Sequence, residues 1–156
     1  LSKHRIGQLL VVLSLLVMGG FVLQTGGTVA HAQSTNQAQA SSSCYGDGCN
    51  GRDPYSNYCS NLAYAVRTAN YNTNIGTVAR LSLMYSPNCN AFYTELNSFI
   101  GSKWEYVRVQ RDSHVYSAGW TYTSRLDSAM VGWNGTEVYG MSWYNSNSGY
   151  GQVSYP

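Results

Sequence analysis

Charge is scarce in this chain. Nine Lys and Arg stand against seven Asp and Glu in 156 residues, and there are only three histidines. A binder of phosphate backbones needs a clustered surplus of Lys and Arg, so this balance argues against nucleic acid. It argues equally against electrostatic attachment to anionic lipid. Few histidines leave little material for a metal site, which usually recruits several. No Gly-x-Ser-x-Gly elbow, no Cys-x-x-Cys knuckle, no EF-hand loop and no internal repeat occurs. No cofactor or metal is expected.

One apolar run is present. Lys3, His4 and Arg5 form a positive head, Leu9 to Leu23 is almost wholly apolar, and Ala30-His31-Ala32 follows as a small-x-small pattern. That order is the layout of a secretory signal. The run is about 15 residues, short of the roughly 20 that a spanning helix needs. Residues 1–32 are therefore expected to be an apolar helical signal peptide, removed after Ala32. The alternative is an uncleaved segment that anchors the protein to the membrane. Cleavage takes Lys3, Arg5, His4 and His31, leaving seven bases against seven acids and His114 as the one histidine. The expected product is secreted or extracellular, monomeric, and free of the membrane.

What is abundant is tyrosine, with 14, alongside four tryptophans. Low charge with many aromatics argues against disorder for the main body. Residues 33–43 are polar and featureless and read as a flexible spacer. Residues 44–144 are then the folded domain, and 145–156, rich in Asn, Ser, Gly and Tyr, read as a loose polar tail.

Within the domain, residues 44–60 are turn chemistry, with Asp47-Gly48, Asn50-Gly51 and Asp53-Pro54. Between Leu62 and Thr68 two periods compete. Tyr64, Val66 and Thr68 alternate as in a strand, while Leu62, Ala65, Val66 and Ala69 also fit a helical stripe; the β-branched residues and an expected Asn-rich turn at 70–74 favour the strand. Val78 to Ser86 reads as a second strand ended by Pro87, and Asn88 to Asn97 as a short helix. Trp104 to Gln110 alternates cleanly, with Trp104, Tyr106 and Arg108 on one face and Glu105, Val107 and Val109 on the other. Val115 to Ser124 is a further strand. Asn134-Gly135 favours a two-residue hairpin turn that would pair Trp133 with Thr136 and Val131 with Val138. Short strands separated by turns predict an all-β fold, a small disulfide-stapled barrel or sandwich.

Cys44, Cys49, Cys59 and Cys89 all follow the signal segment. An even count in a small exported domain implies disulfides, with three possible pairings. We favour Cys44–Cys49, closing a tight Gly-containing loop, and Cys59–Cys89, tying that loop to the end of the second strand. The rival is a four-cysteine zinc site, for which the spacing is wrong.

The run Cys44-Tyr-Gly-Asp-Gly-Cys49-Asn-Gly-Arg-Asp53-Pro54, then Cys59, then Leu83-Met-Tyr-Ser-Pro-Asn-Cys89-Asn-Ala91 resembles the family of exported bacterial domains filed as domain of unknown function 2690. The likeness covers about residues 44–95. It implies an extracytoplasmic module, secreted or carried as the outer part of a membrane-anchored regulator, and no established activity. It also implies a Trp where Tyr93 stands and Arg where Met84 stands and near Glu95. An anion-binding role built on those arginines does not carry over.

Several chemistries have partial material. Asp112 and His114 lie two apart, as one strand face would hold them, but a surface histidine at a turn is the plainer account. Asp47, Asn50 and Asp53 could offer oxygens to calcium, though such residues are also the usual stuff of Asx-turns. Glu95, Glu105, Asp127 and Glu137 are candidate carboxylates for glycoside hydrolysis, which needs two across a cleft. Asn134-Gly135-Thr136 matches a glycosylation sequon and is read here as a turn.

The aromatics are the most suggestive feature. Trp104, Trp120, Trp133, Trp143, Tyr85 and Tyr93 are taken as ligand-contact residues, because Tyr and Trp present flat apolar faces with a polar edge. Core packing is the competing account for any single one, and an exposed row of three or more would decide for a binding face. The leading expectation is a non-enzymatic exported module contacting cell-envelope glycan or peptide. A small cell-wall hydrolase and a purely structural secreted protein are the alternatives.

Overall fold

A computed structural model describes residues 43–145 and 149–156. The expected signal helix and nearly all of the spacer lie outside the described residues. No helix among the described residues is long and apolar enough to cross a membrane.

The fold is all-β, as expected, and it is a sandwich of two antiparallel sheets. The strands are β1 (Tyr64–Thr73), β2 (Gly76–Ser86), β3 (Ala91–Ser98), β4 (Lys103–Arg111), β5 (His114–Thr123), β6 (Arg125–Asp127), β7 (Val131–Gly132), β8 (Val138–Tyr144) and β9 (Gly149–Tyr155). One sheet runs β1-β2-β3-β6, with β7 also paired to β3; the other runs β5-β4-β8-β9. Two short 3-10 turns, Gly46–Cys49 and Cys59–Leu62, precede β1.

The period-2 pattern positions the core. On β4 the alternation is complete: Glu105, Val107, Val109 and Arg111 are buried, and the residues between them are not. Val107 joins Leu81, Leu96 and Tyr144 in one inner cluster, and Val109 joins Leu83, Phe92, Val131 and Val138 in another. A third cluster lies outside the first sheet. There the four cysteines pack on Ala91, Tyr93 and Met130, so the loop before β1 covers that sheet's outer face as an extra layer.

Both expected disulfides are present. Cys44–Cys49 and Cys59–Cys89 have Cα separations of 5.1 and 5.6 Å, and no cysteine among the described residues is free. The four sulfurs lie within 4.8 Å of one another, and each is spent in a bridge.

Four local expectations are corrected. The short helix at 88–97 is β3: Pro87 to Asn90 make a turn in which Asn90 takes a φ of 47°, and Phe92, Thr94 and Leu96 then point inward on the strand period. The Asn-rich stretch at 70–74 is mostly strand, because β1 runs on to Thr73 before turning.

The Asn134-Gly135 hairpin does not form. Only Gly135 of the two has positive φ, whereas the hairpin turn needs both. Asn134 Oδ1 instead accepts from Thr136 N at 3.1 Å and Thr136 Oγ1 at 2.7 Å. The chain crosses here between sheets: Val131 pairs with Phe92, and Val138 pairs with Arg111.

The tail expected to be loose contains β9, paired along β8 from Val138–Tyr155 to Tyr144–Gly149. Its glycines have a packing reason. A Cβ on Gly149 or Gly151 would come within 2.7 Å of the Tyr71 side chain, which lies against β9 and bonds Ser142 Oγ at 2.7 Å.

Candidate functional site

Among the described residues, no element covers the outer face of the second sheet. On it the strand registers bring aromatic side chains together. Tyr106 lies directly opposite Trp143, and Trp143 directly opposite Tyr150. On the other side of β4 the register slips between Glu105 and Val107, so that Gly119-Trp120 faces Tyr106. Such a bulge re-aims a side chain, and here it sets Trp120 on the same face. The result is a row across all four strands: Trp120, Tyr106, Trp143, Tyr150. Successive ring centroids are 5.8, 5.0 and 5.1 Å apart, close to the 4.7–4.9 Å strand spacing that generates them. A second pair, Trp104 opposite Tyr122 with centroids 5.8 Å apart, lies next to this row.

The ends of the row and the adjoining pair are accessible, while Tyr106 and Trp143 between the ends are half-buried. Trp120 is 45% exposed, Trp104 48%, Tyr150 55% and Tyr122 62%. Neighbouring rings meet at 50–82°, so the surface presents ring faces and ring edges in alternation. Carbon-bound hydrogens can stack on the faces, and hydroxyl groups can reach the polar edges.

Of the six aromatics expected to touch ligand, Trp104, Trp120 and Trp143 come together here. The other three do not. Tyr93 is buried among the cysteines. Tyr85 and Trp133 pack with Phe92 and Tyr155 at one end of the sandwich core, where Tyr85 OH donates to Asn90 Oδ1 at 3.0 Å. Tyr106, Tyr122 and Tyr150 were missed. Tyr106 shared the Trp104 face in the alternation and could have been added; Tyr150 was hidden by the reading of the tail as loose.

The carboxylates separate likewise. Glu95 and Asp127 are direct partners across β3 and β6. Arg125 donates to both, from Nη2 to Glu95 Oε2 at 2.6 Å and from Nε to Asp127 Oδ2 at 3.2 Å. Tyr55 OH also donates to Asp127, at 3.1 Å. Asp127, Arg125, Tyr55 and Asp53 line a cavity of about 360 Å3 beneath the cysteine loop. Burial pushes both carboxyls up, with Arg125 pulling the other way, and pushes the Tyr55 phenol up to about 12. Glu137 is remote, bonded to Tyr139. Glu105 is fully buried on the inner face of β4.

The remaining candidates have structural partners. Asp47 pairs with Arg111, Asn50 Oδ1 accepts from Gly132 N at 2.8 Å, and Asp53 caps Tyr55 N and Ser56 Oγ. The three oxygen donors proposed for calcium are therefore turned to three different tasks. The Asp112 carboxylate faces Arg111 and Thr136, not an activated nucleophile.

Comparison with known proteins adds one finding. No curated protein and no solved structure matches the chain. A family model described as Protein of unknown function (DUF2690) matches residues 47–141, from within the first disulfide loop into β8, and takes in Tyr106 and Trp120 of the aromatic row but not Trp143 or Tyr150. With more than half its length matched, the chain belongs to that family.

Proposed function

We propose that the domain is a non-catalytic extracytoplasmic binding module whose uncovered aromatic face takes an extended glycan of the cell envelope. The row Trp120–Tyr106–Trp143–Tyr150 carries this reading. Exposed, contiguous aromatic surface is costly to leave in water, and patches of this kind mark interaction sites. The row runs across all four strands of the sheet face, from β5 to β9, at right angles to the direction in which an added peptide strand would lie. A peptide adding itself as a strand would need a sheet edge, whereas a ligand read by side chains alone, through stacking and hydroxyl contacts, suits this face. The two disulfides support an oxidising compartment.

The test is a tryptophan-fluorescence titration with chitohexaose, together with sedimentation on isolated cell-wall polymer. Saturable quenching is expected, weakened in Trp120→Ala and Tyr150→Ala. No binding to any envelope polymer would reject the reading.

A second reading, hydrolysis of wall material, has one observation in its favour: Glu95 and Asp127 sit side by side, Asp127 lines a cavity, and burial pushes the pKa of both carboxyls up. Arg125 holds both carboxylates as an ion-paired set, which is a common structural arrangement. Turnover of wall polymer that is lost in Asp127→Asn would favour this second reading.

A further inference from the structure

On the proposed ligand face one cation stands beside the aromatic row. Arg108 is two residues along β4 from Tyr106, roughly 6.6 Å at the ordinary strand rise. Its neighbours across the sheet are Met141 on β8 and, beyond it, Gln152 on β9. These residues form a second line parallel to Tyr106–Trp143–Tyr150.

Arg108 is only half satisfied. Its Nη2 donates to Gln110 Oε1 at 2.7 Å. Its Nε is buried without a hydrogen-bond partner among the described residues. The ion pairs among the described residues belong to Arg111 and Arg125, and no carboxylate pairs with Arg108. The polar groups next to Arg108 on this face are neutral amides: Gln110, two residues along β4, and Gln152, which accepts from Tyr150 OH at 2.6 Å. A guanidinium held by a neutral amide and in no ion pair among the described residues is suited to receive an anion from outside on its Nη atoms, the end of the planar fork away from the buried Nε.

We infer that the ligand is a carboxylate-bearing glycan, its sugar rings lying along Trp120–Tyr106–Trp143–Tyr150 and its acid group on Arg108. This rests on the aromatic-face reading and adds the ligand's charge to it. Gln110 fixes the guanidinium, and Gln152 offers an amide to neighbouring hydroxyls.

The experiment compares two glycans with the same β-1,4-linked N-acetylated backbone. One is chitohexaose, which is neutral. The other is peptidoglycan strands stripped of peptide, in which alternate sugars carry a lactyl carboxylate. Affinities of the whole oxidised protein are read by tryptophan fluorescence at low and high salt. The acidic strands are expected to bind about tenfold more tightly, the worth of one charge-assisted hydrogen bond. That advantage should shrink in salt and vanish in Arg108→Gln, which keeps chitohexaose binding. Trp120→Ala should weaken both ligands, and it replaces an exposed ring without touching the core. Equal affinities in the parent, or a preference that survives Arg108→Gln, would overturn the role of Arg108 and leave the aromatic face standing. Failure of both glycans to bind would overturn the two readings together.

Discussion

Arg111 Nη2 lies 2.7 Å from Asp47 Oδ1, and the two residues differ sharply in environment: the arginine side chain is almost fully buried, while Asp47 is largely open to solvent. Arg111 ends β4 on its inner face and also donates to the carbonyl of Gly132. One buried cation thus fastens the first disulfide loop to two strands. That contact matters because the loop is the layer that covers the outer face of the first sheet.

This pairing gives an acid dependence of known sign. The hydrogen bond from Arg111 holds the Asp47 carboxyl below its ordinary value of 3.8. A carboxyl depressed in the fold stabilises it above the unfolded value, and that contribution disappears as pH falls through the folded value. Denaturant midpoints from pH 6 down to pH 2 should therefore decline below about 4. Asp47→Asn should flatten part of that decline and leave Arg111 underpaired at neutral pH, lowering the midpoint there.

Glu105 predicts the opposite trend. It is wholly buried, neither carboxyl oxygen has a hydrogen-bond partner among the described residues, and burial, with Asp127 nearby, pushes its pKa up to about 8. An acid raised in the fold stabilises it fully below the unfolded value of 4.5, and that stability is lost as pH climbs to the folded value. Urea unfolding should weaken between pH 5 and 8. Glu105→Gln should be more stable than the parent at pH 8 and equal to it near pH 4. A parent and variant with parallel pH profiles would show that Glu105 does not ionise in this range.

The two bridges should differ in value. On the loop-entropy account the Cys59–Cys89 bridge, 30 residues apart, contributes about 3.5 kcal/mol, and Cys44–Cys49, five apart, about 2 kcal/mol. Paired Cys→Ser variants followed by thermal melting should reproduce that order. Mass measured without reductant should fall short of the reduced chain by four hydrogens, two for each bridge. Equal mass before and after reduction would contradict the oxidised structure.

Much of the fold could be read from residue patterns because its signals are local. The alternation from Trp104 to Gln110 sets both faces of β4, and the cysteine spacing with its turn residues marks the stapled loop. The failures have a common cause, since each depends on a partner distant in sequence. Asn134-Gly135 has hairpin composition, but Val138 finds β4 and β9 rather than Val131. Residues 149–155 have a linker's composition until Tyr71 supplies the reason for their glycines. The aromatic face was half visible for the same reason. Trp104 and Tyr106 share a strand, but the neighbours that complete the row come from β5, β8 and β9, and the bulge that turns Trp120 outward shows itself only in the pairing.

The position of the bridges also decides how the molecule survives a peptidase. The β1–β2 tip, where Ile75 is 76% exposed, lies inside the ring closed by Cys59 and Cys89. A single cut there leaves one covalent body with both sheets still joined. A cut between Cys49 and Cys59 severs the chain outright, because Cys44–Cys49 closes on itself. Resistance to such cleavage therefore depends on shielding the nine residues between Cys49 and Cys59, where Pro54, Asp53 and the Asn57 side chain fold the backbone back on itself.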